Sequence, residues 1–305
     1  MNYSYETRFS AGIWNGIKRS FKQGSALTRL LYINIGIYLV LALLNACSWI
    51  AGIPGMEQEF LQYLGVPADL FWLARAPWTL VSYMFTHFSF LHLLFNMLWL
   101  YWFGSIFQDH LPGKGLIALY LLGGVTGAFV YMLAYNVLPV FAGELLLSRA
   151  IGASGAVMAI VFAVCLYLPN YRIYVLLIGP VRLIHLALFT VIVDLISIPQ
   201  GNAGGHIAHL GGALFGCLYS FAIRREVDIT RWLTVLFHLL GKRPRRKSKM
   251  RVKYRKKVSE MSDREYNMER KRRDDRVNEV LDKISRSGYD SLTKEERAIL
   301  FNSGR

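Results

Sequence analysis

The chain has 305 residues, 54% of them hydrophobic, and a formal net charge of +15. It is too apolar for an ordinary soluble domain of that size, and its basic excess is not spread evenly: 25 of the 35 Lys and Arg residues follow Ile223. The three cysteines, Cys47, Cys165 and Cys217, fall in apolar runs without a pattern of spacing, which excludes a disulfide framework or a thiolate zinc motif.

Before the first apolar run, Phe9, Ile13, Trp14, Ile17 and Phe21 repeat at helical spacing beside Lys18, Arg19 and Lys22. This predicts an interfacial amphipathic helix, with a disordered basic leader as the alternative. Met1–Ser10 is polar, so no cleavable signal peptide is expected. Six apolar runs follow: Leu30–Ile50, Leu80–Phe103, Leu116–Leu138, Ala150–Leu168, Val181–Ile198 and His206–Ile223. A membrane span needs about 20 mainly apolar residues, and in lipid each must be helical because no water satisfies an open backbone. The expected fold class is all-α, a polytopic membrane bundle of six transmembrane helices with a short helical tail. Lys18, Arg19, Lys22 and Arg29 precede the first run and the densest basic segments follow the last. The positive-inside rule then puts both termini in the cytoplasm, as an even number of spans permits. Residues 1–29 read as a cytoplasmic N-terminal segment, 30–223 as the membrane domain and 224–305 as a basic linker with a small helical module.

Between the first two runs, Ala51–Pro77 carries Pro54, Pro67 and Pro77 among Phe60, Leu64, Leu70, Phe71 and Trp72, and is expected to lie partly embedded beside the bundle. Past the sixth run, Lys242–Lys257 is a dense basic stretch. It reads as a solvated juxtamembrane linker attracted to anionic lipid heads. It lacks the interleaved aromatics of a base-stacking platform, so no nucleic-acid partner is expected. Val277, Val280, Leu281 and Ile284 then form a helical stripe that Gly288 ends, and Thr293 and Glu296 have capping-box spacing ahead of Ala298, Leu300 and Phe301. Two short helices of this kind need a partner or self-association to be stable.

Polar side chains are costly inside a span and invite a functional reading. With the N-terminus inside, the second, fourth and sixth runs all pass from outside to inside, and each has a polar or glycine-rich group in its outer half. These groups are His87 through Asn96 with His92 between them, Gly152-Ala153-Ser154-Gly155, and Gly205 through Gly212 with His206 and His209. A serine hydroxyl becomes a nucleophile when a base takes its proton, and histidine suits that task near neutrality. His92 and Asn96 are four apart, on one helix face, and both can donate hydrogen bonds where an oxyanion develops. Gly212 and Gly216 form a step that lets two helices approach closely, as His209 would need in order to reach Ser154. Taken alone, a serine among small residues, a single intramembrane histidine or a GxxxG step is more often a packing feature. Three sets at one depth are not what packing alone predicts.

At these residues the chain resembles the rhomboid family of intramembrane serine proteases. The resemblance covers roughly residues 30–223 and rests on His92-xxx-Asn96, Gly152-Ala153-Ser154-Gly155 and Ala208-His209-xx-Gly212-xxx-Gly216. It implies a Ser154 nucleophile and a His209 base without a third acidic member. His92, Asn96 and the Ser154 N–H would form the oxyanion hole. It also implies transmembrane protein substrates cleaved near the outer face, no cofactor or metal, and a bacterial cytoplasmic membrane as the setting. Two positions depart from the family pattern: Thr79 follows Trp78 where arginine is frequent, and Met158 stands where an aromatic commonly packs on the catalytic imidazole. His206 reads as a solvent-facing residue at a helix start. The alternatives are a catalytically inactive rhomboid-like protein that binds membrane clients, a transporter, and a zinc protease using His87, His92, His206 and His209. No inverted repeat favours the transporter. The zinc protease is weakened by the lack of HExxH and of any carboxylate near these histidines, since Asp194, the only obvious acid within the runs, has no ligand spacing to them.

Overall fold

The computed structural model describes residues 20–21, 23–111, 115–175, 178–240 and 262–303. The chain divides into two compact units, Met1–Arg243 and Pro244–Arg305. Most of the N-terminal amphipathic stretch and the basic run Lys242–Lys257 lie outside the described residues.

The first unit is a helical membrane bundle. Its elements are α1 (Ala26–Ile50), α2 (Met56–Leu64), β1 (Val66–Pro67), α3 (Leu70–Arg75), α4 (Thr79–Ser82), α5 (Phe90–His110), α6 (Leu116–Val137), β2 (Arg149–Ala150), α7 (Ser154–Tyr167), β3 (Arg172–Val175), β4 (Gly179–Arg182), α8 (Leu183–Ser197), α9 (Ala203–Ile223) and α10 (Arg231–Leu240). Five of these helices, α1, α5, α6, α8 and α9, are long and apolar enough to cross a membrane, α8 with the 3-10 turn that extends it to Gln200. The chain is therefore an integral, multi-pass membrane protein of the helical class expected from its apolar runs.

Two of those runs are shortened for a physical reason. The second was expected from Leu80, yet its helix begins at Phe90. Upstream, α4 gives way to a 3-10 turn over Tyr83–Phe85. The Tyr83 carbonyl accepts from Gly152 N–H at 2.8 Å and from Thr86 N–H at 3.2 Å, so it does not serve an α-helical bond to His87. The fourth run, expected over Ala150–Leu168, is helical only from Ser154 to Tyr167. Its first residues instead pair in β2 with β1, Val66 opposite Ala150 and Pro67 opposite Arg149, and Gly152 at φ +115° turns the chain into the helix. A helix of that length spans about 21 Å, roughly 9 Å short of the hydrocarbon core. Every residue of α7 from Gly155 to Cys165 is buried. Open backbone at membrane depth is tolerated where protein surrounds it.

The first external loop is tied into this arrangement. Val66 and Ala68 are wholly buried, Ser82 Oγ donates to Leu64 O at 2.8 Å, and Trp78 Nε1 donates to Tyr63 O at 2.9 Å. Leu70, Phe71 and Trp72 stay exposed, so the loop is anchored at β1 and presents an apolar surface beside it. At the centre of the bundle, α7 packs most extensively on α9, and α6 packs against both. A Cβ on Gly212 would run into the Gly155 carbonyl, and one on Gly216 into the Ala159 carbonyl. The glycine step therefore brings the two backbones into direct contact, as close helix packing in membranes requires.

The second unit contains α11 (Asp263–Ser287) and α12 (Lys294–Ser303). The first is 25 residues long, not short, because Ser262 and Glu265 form a capping box upstream of the apolar stripe. Gly288, at φ +75°, ends it. The Thr293 N–H donates to Glu296 Oε2 at 2.7 Å and the Glu296 N–H to Thr293 Oγ1 at 3.3 Å, the reciprocal cap expected there. Lys283 Nζ bridges to Glu296 at 2.7 Å. With the Thr293 N–H, it holds the Glu296 carboxyl down at about 2.

Candidate active site

Three helix N-termini supply the site. His92 is the third residue of α5, Ser154 the first of α7, and His209 the seventh of α9. Together with Asn96, Met158, Thr190, Asp194 and Gly205 they line one cavity of about 410 Å³. All four residues expected to act chemically, Ser154, His209, His92 and Asn96, thus face a shared space. Among the described residues no hydrogen bond joins the Ser154 hydroxyl to His209. Such contacts are often long in unliganded enzymes and tighten on substrate binding.

The backbone ahead of Ser154 is held from the α5 side. Gly152 N–H donates to the Tyr83 carbonyl, and Ala153 N–H donates to His87 Nε2 at 3.2 Å. His87 is buried and serves as an acceptor for this turn rather than as a free ligand. Gly152 is needed twice over. Its φ of +115° suits glycine, and a Cβ there would lie 2.6 Å from His92 Cε1. The His92 ring also meets the His87 ring edge-on at 5.0 Å. Asn96 donates one amide proton to its own helix, to His92 O at 2.8 Å, which leaves its second N–H as the donor for a ligand.

One residue of the site is not marked by any spacing in the sequence. Asp194, on α8, is the buried polar member of a helix whose other buried residues are Leu183 and Ala187. His206 and His209 both donate from Nδ1 to Asp194 Oδ1, each at 2.8 Å. A carboxylate only accepts, so both imidazoles carry a proton on Nδ1, and Nε2 of His209 is left free. Two expectations are corrected here. His206 is not a solvent-facing residue, its side chain being 21% exposed and bonded to Asp194. The histidines do have a carboxylate beside them. Asp194 is fifteen residues before His209 on a separate helix, so no periodicity links them. The available signal was only an acid inside an apolar run, which is rare enough to count as functional by default.

Met158 lines the same cavity one turn beyond Ser154 and is buried, where its thioether can pack against a ring. Thr79 is buried and donates to Ala76 O at 2.6 Å, so the position after Trp78 is used internally.

Comparison with known proteins matches the same region. Residues 74–226 match the family model described as the Rhomboid domain, and residues 261–302 match a family of unknown function (DUF6576). The chain is 32% identical over 177 residues to presenilin-associated rhomboid-like protein A, mitochondrial, of Danio rerio, covering 57% of this chain and 43% of that protein. It is 29% identical over 156 residues to RHOMBOID-like protein 12, mitochondrial, of Arabidopsis thaliana, covering 48% and 46%. It is 27% identical over 171 residues to rhomboid protease GlpG of Haemophilus influenzae, covering 52% and 81%. The chain spans less than half the length of the two mitochondrial relatives. The bacterial membrane expected from the resemblance is not supported, since the relatives from Danio rerio and Arabidopsis thaliana carry mitochondrial names. With the Rhomboid domain matching half of its residues, this chain belongs to the rhomboid family.

Proposed function

We propose that the chain is an intramembrane serine endopeptidase that cleaves transmembrane proteins near the outer membrane face, with Ser154 as nucleophile and His209 as general base. The observation that carries this reading is the convergence of Ser154, His209, His92 and Asn96 on one cavity. Ser154 Oγ attacks the scissile carbonyl carbon as His209 Nε2 takes its proton. The oxyanion that forms is met by the Ser154 N–H at the helix start, His92 and the free Asn96 N–H. Collapse passes the proton from His209 to the leaving amine, and water then releases the acyl group by the same route. Asp194 is the positioning residue: its bond to Nδ1 holds His209 in the tautomer whose Nε2 can accept a proton. The expected Ser–His dyad thus becomes a Ser–His–Asp set.

The membrane domain, about residues 30–223, carries this activity. Both termini lie on the inside face, and the basic residues after Ile223 are drawn to anionic lipid heads.

The test is cleavage of a single-span reporter by protein reconstituted in liposomes. Ser154→Ala and His209→Ala should each abolish cleavage while leaving the protein folded. Cleavage that survives both would sink the proposal, as would dependence on added zinc. Binding of the reporter without any cleavage would favour the inactive rhomboid-like reading.

A further inference from the structure

His206 takes no part in the mechanism above, yet it is held as firmly as His209. Both rings come from one face of α9, three residues apart, and both point Nδ1 at a single oxygen of Asp194 from the neighbouring helix. The rings lie 5.7 Å apart at 81°, edge to face, so neither blocks the other's approach. The three ligand atoms all lie within 4.8 Å of one another. Orienting His209 needs only one of these bonds. Two imidazole nitrogens and a carboxylate oxygen meeting at a point, with the cavity open beside them, is a ligand set with a vacant fourth position.

We propose that Asp194, His206 and His209 form an inhibitory zinc site at the edge of the catalytic cavity. Zinc takes imidazole nitrogen and carboxylate oxygen at about 2.0–2.2 Å, which separates tetrahedral ligands by roughly 3.3 Å. The nitrogens now sit 2.8 Å from Asp194 Oδ1, so each moves about half an ångström away from that oxygen as the ion enters, and the two rings settle about the metal. Two imidazoles and a carboxylate suit zinc better than magnesium or calcium, which prefer oxygen donors. Cavity water fills the fourth position.

Inhibition follows from the tautomer, and this consequence rests on the reading of His209 as the general base. A neutral imidazole that binds zinc through Nδ1 carries its proton on Nε2. The change is an internal shift of one proton on each ring, with none gained or lost. A protonated Nε2 cannot accept the Ser154 proton, so the zinc-bound protein lacks its base. The carboxylate that orients His209 in the free enzyme becomes a ligand of the ion.

The experiment uses full-length protein in liposomes and zinc chloride as the probe. Zinc should suppress reporter cleavage, and EDTA should restore it. His206→Ala and His206→Gln should each keep basal cleavage and raise the inhibitory zinc concentration by about tenfold or more, since losing even an outer partner of a metal site costs that much. A second arm does not need activity. Ser154→Ala protein should take one zinc in competition with a chromophoric chelator, and the Ser154→Ala/His206→Ala double variant should bind about tenfold or more weakly. Equal inhibition of wild type and both His206 variants, or equal binding by single and double variants, overturns the zinc site. If no preparation cleaves the reporter, the binding arm still decides for or against the site, and only the protease reading fails. Cleavage abolished by EDTA and restored by zinc overturns the inhibitory role.

Discussion

Helices α7 and α8 are of nearly equal length, 14 and 15 residues, and are held in opposite ways. In α7, residues 155–165 are all buried and the partner helix touches its backbone through Gly212 and Gly216. In α8 only Leu183, Ala187 and Asp194 are buried, on a single stripe, while Leu188, Phe189, Ile192 and Leu195 stay exposed. In water those exposed side chains would be a liability; in lipid they cost little, because the acyl chains are as apolar as leucine. The proposed nucleophile, Ser154, thus stands on the element that cannot move without separating two backbones. The carboxylate stands on the one attached by a few side chains, two of its bonds being those to His206 and His209. Rigidity is concentrated around Ser154, whereas His209 is oriented by a contact between separate helices.

The lock between α7 and α9 is most exposed to substitution at Gly212. Gly212→Leu should leave no active protein and lower the thermal midpoint sharply in detergent, because its side chain has only the Gly155 backbone to displace. A wild-type midpoint would show that α7 and α9 are not locked through their backbones.

Next comes the α8 side. Asp194→Asn should lower kcat by about 10²- to 10⁴-fold with little change in KM, the pattern of a base left in the wrong tautomer. A rise in KM with kcat preserved would mean that Asp194 attaches α8 to the bundle without orienting His209. A smaller loss, about a hundredfold in kcat, is expected for Gly152→Ala, which drives a Cβ into His92, a proposed oxyanion donor. Normal kcat in that variant would remove His92 from the oxyanion site.

The smallest effect is expected on the lipid-facing stripe. Leu188 and Leu195 are 60% and 52% exposed, and Leu188→Ala or Leu195→Ala should change stability by no more than about 0.5 kcal/mol, read from detergent unfolding. A large loss at either would mean that α8 is covered by something besides lipid.

Much of this contrast was legible in the residues. The apolar runs mark the helices, and the HxxxN, GxSG and AHxxGxxxG spacings name Ser154, His209, His92 and Asn96 on three of them. Two features were not legible. Nothing in Leu80–Ser89 says that this apolar stretch leaves the helix. Its Tyr83 carbonyl and His87 ring are taken by Gly152 and Ala153, which lie more than sixty residues away in the chain. Nor does Asp194 announce its partners, since it meets His209 across two helices and the turn between them.

By itself the sequence determined that the chain is a membrane bundle and which residues could do acyl chemistry, because lipid forces apolar runs into helices and helical periodicity puts His92 with Asn96 on one face. Tertiary contacts settled where the helix of Ser154 begins, which backbone bonds hold the turn before it, and that one carboxylate serves two histidines. Those outcomes depend on competition between local helical bonds and partners from distant segments, and no rule of spacing along one helix contains that competition.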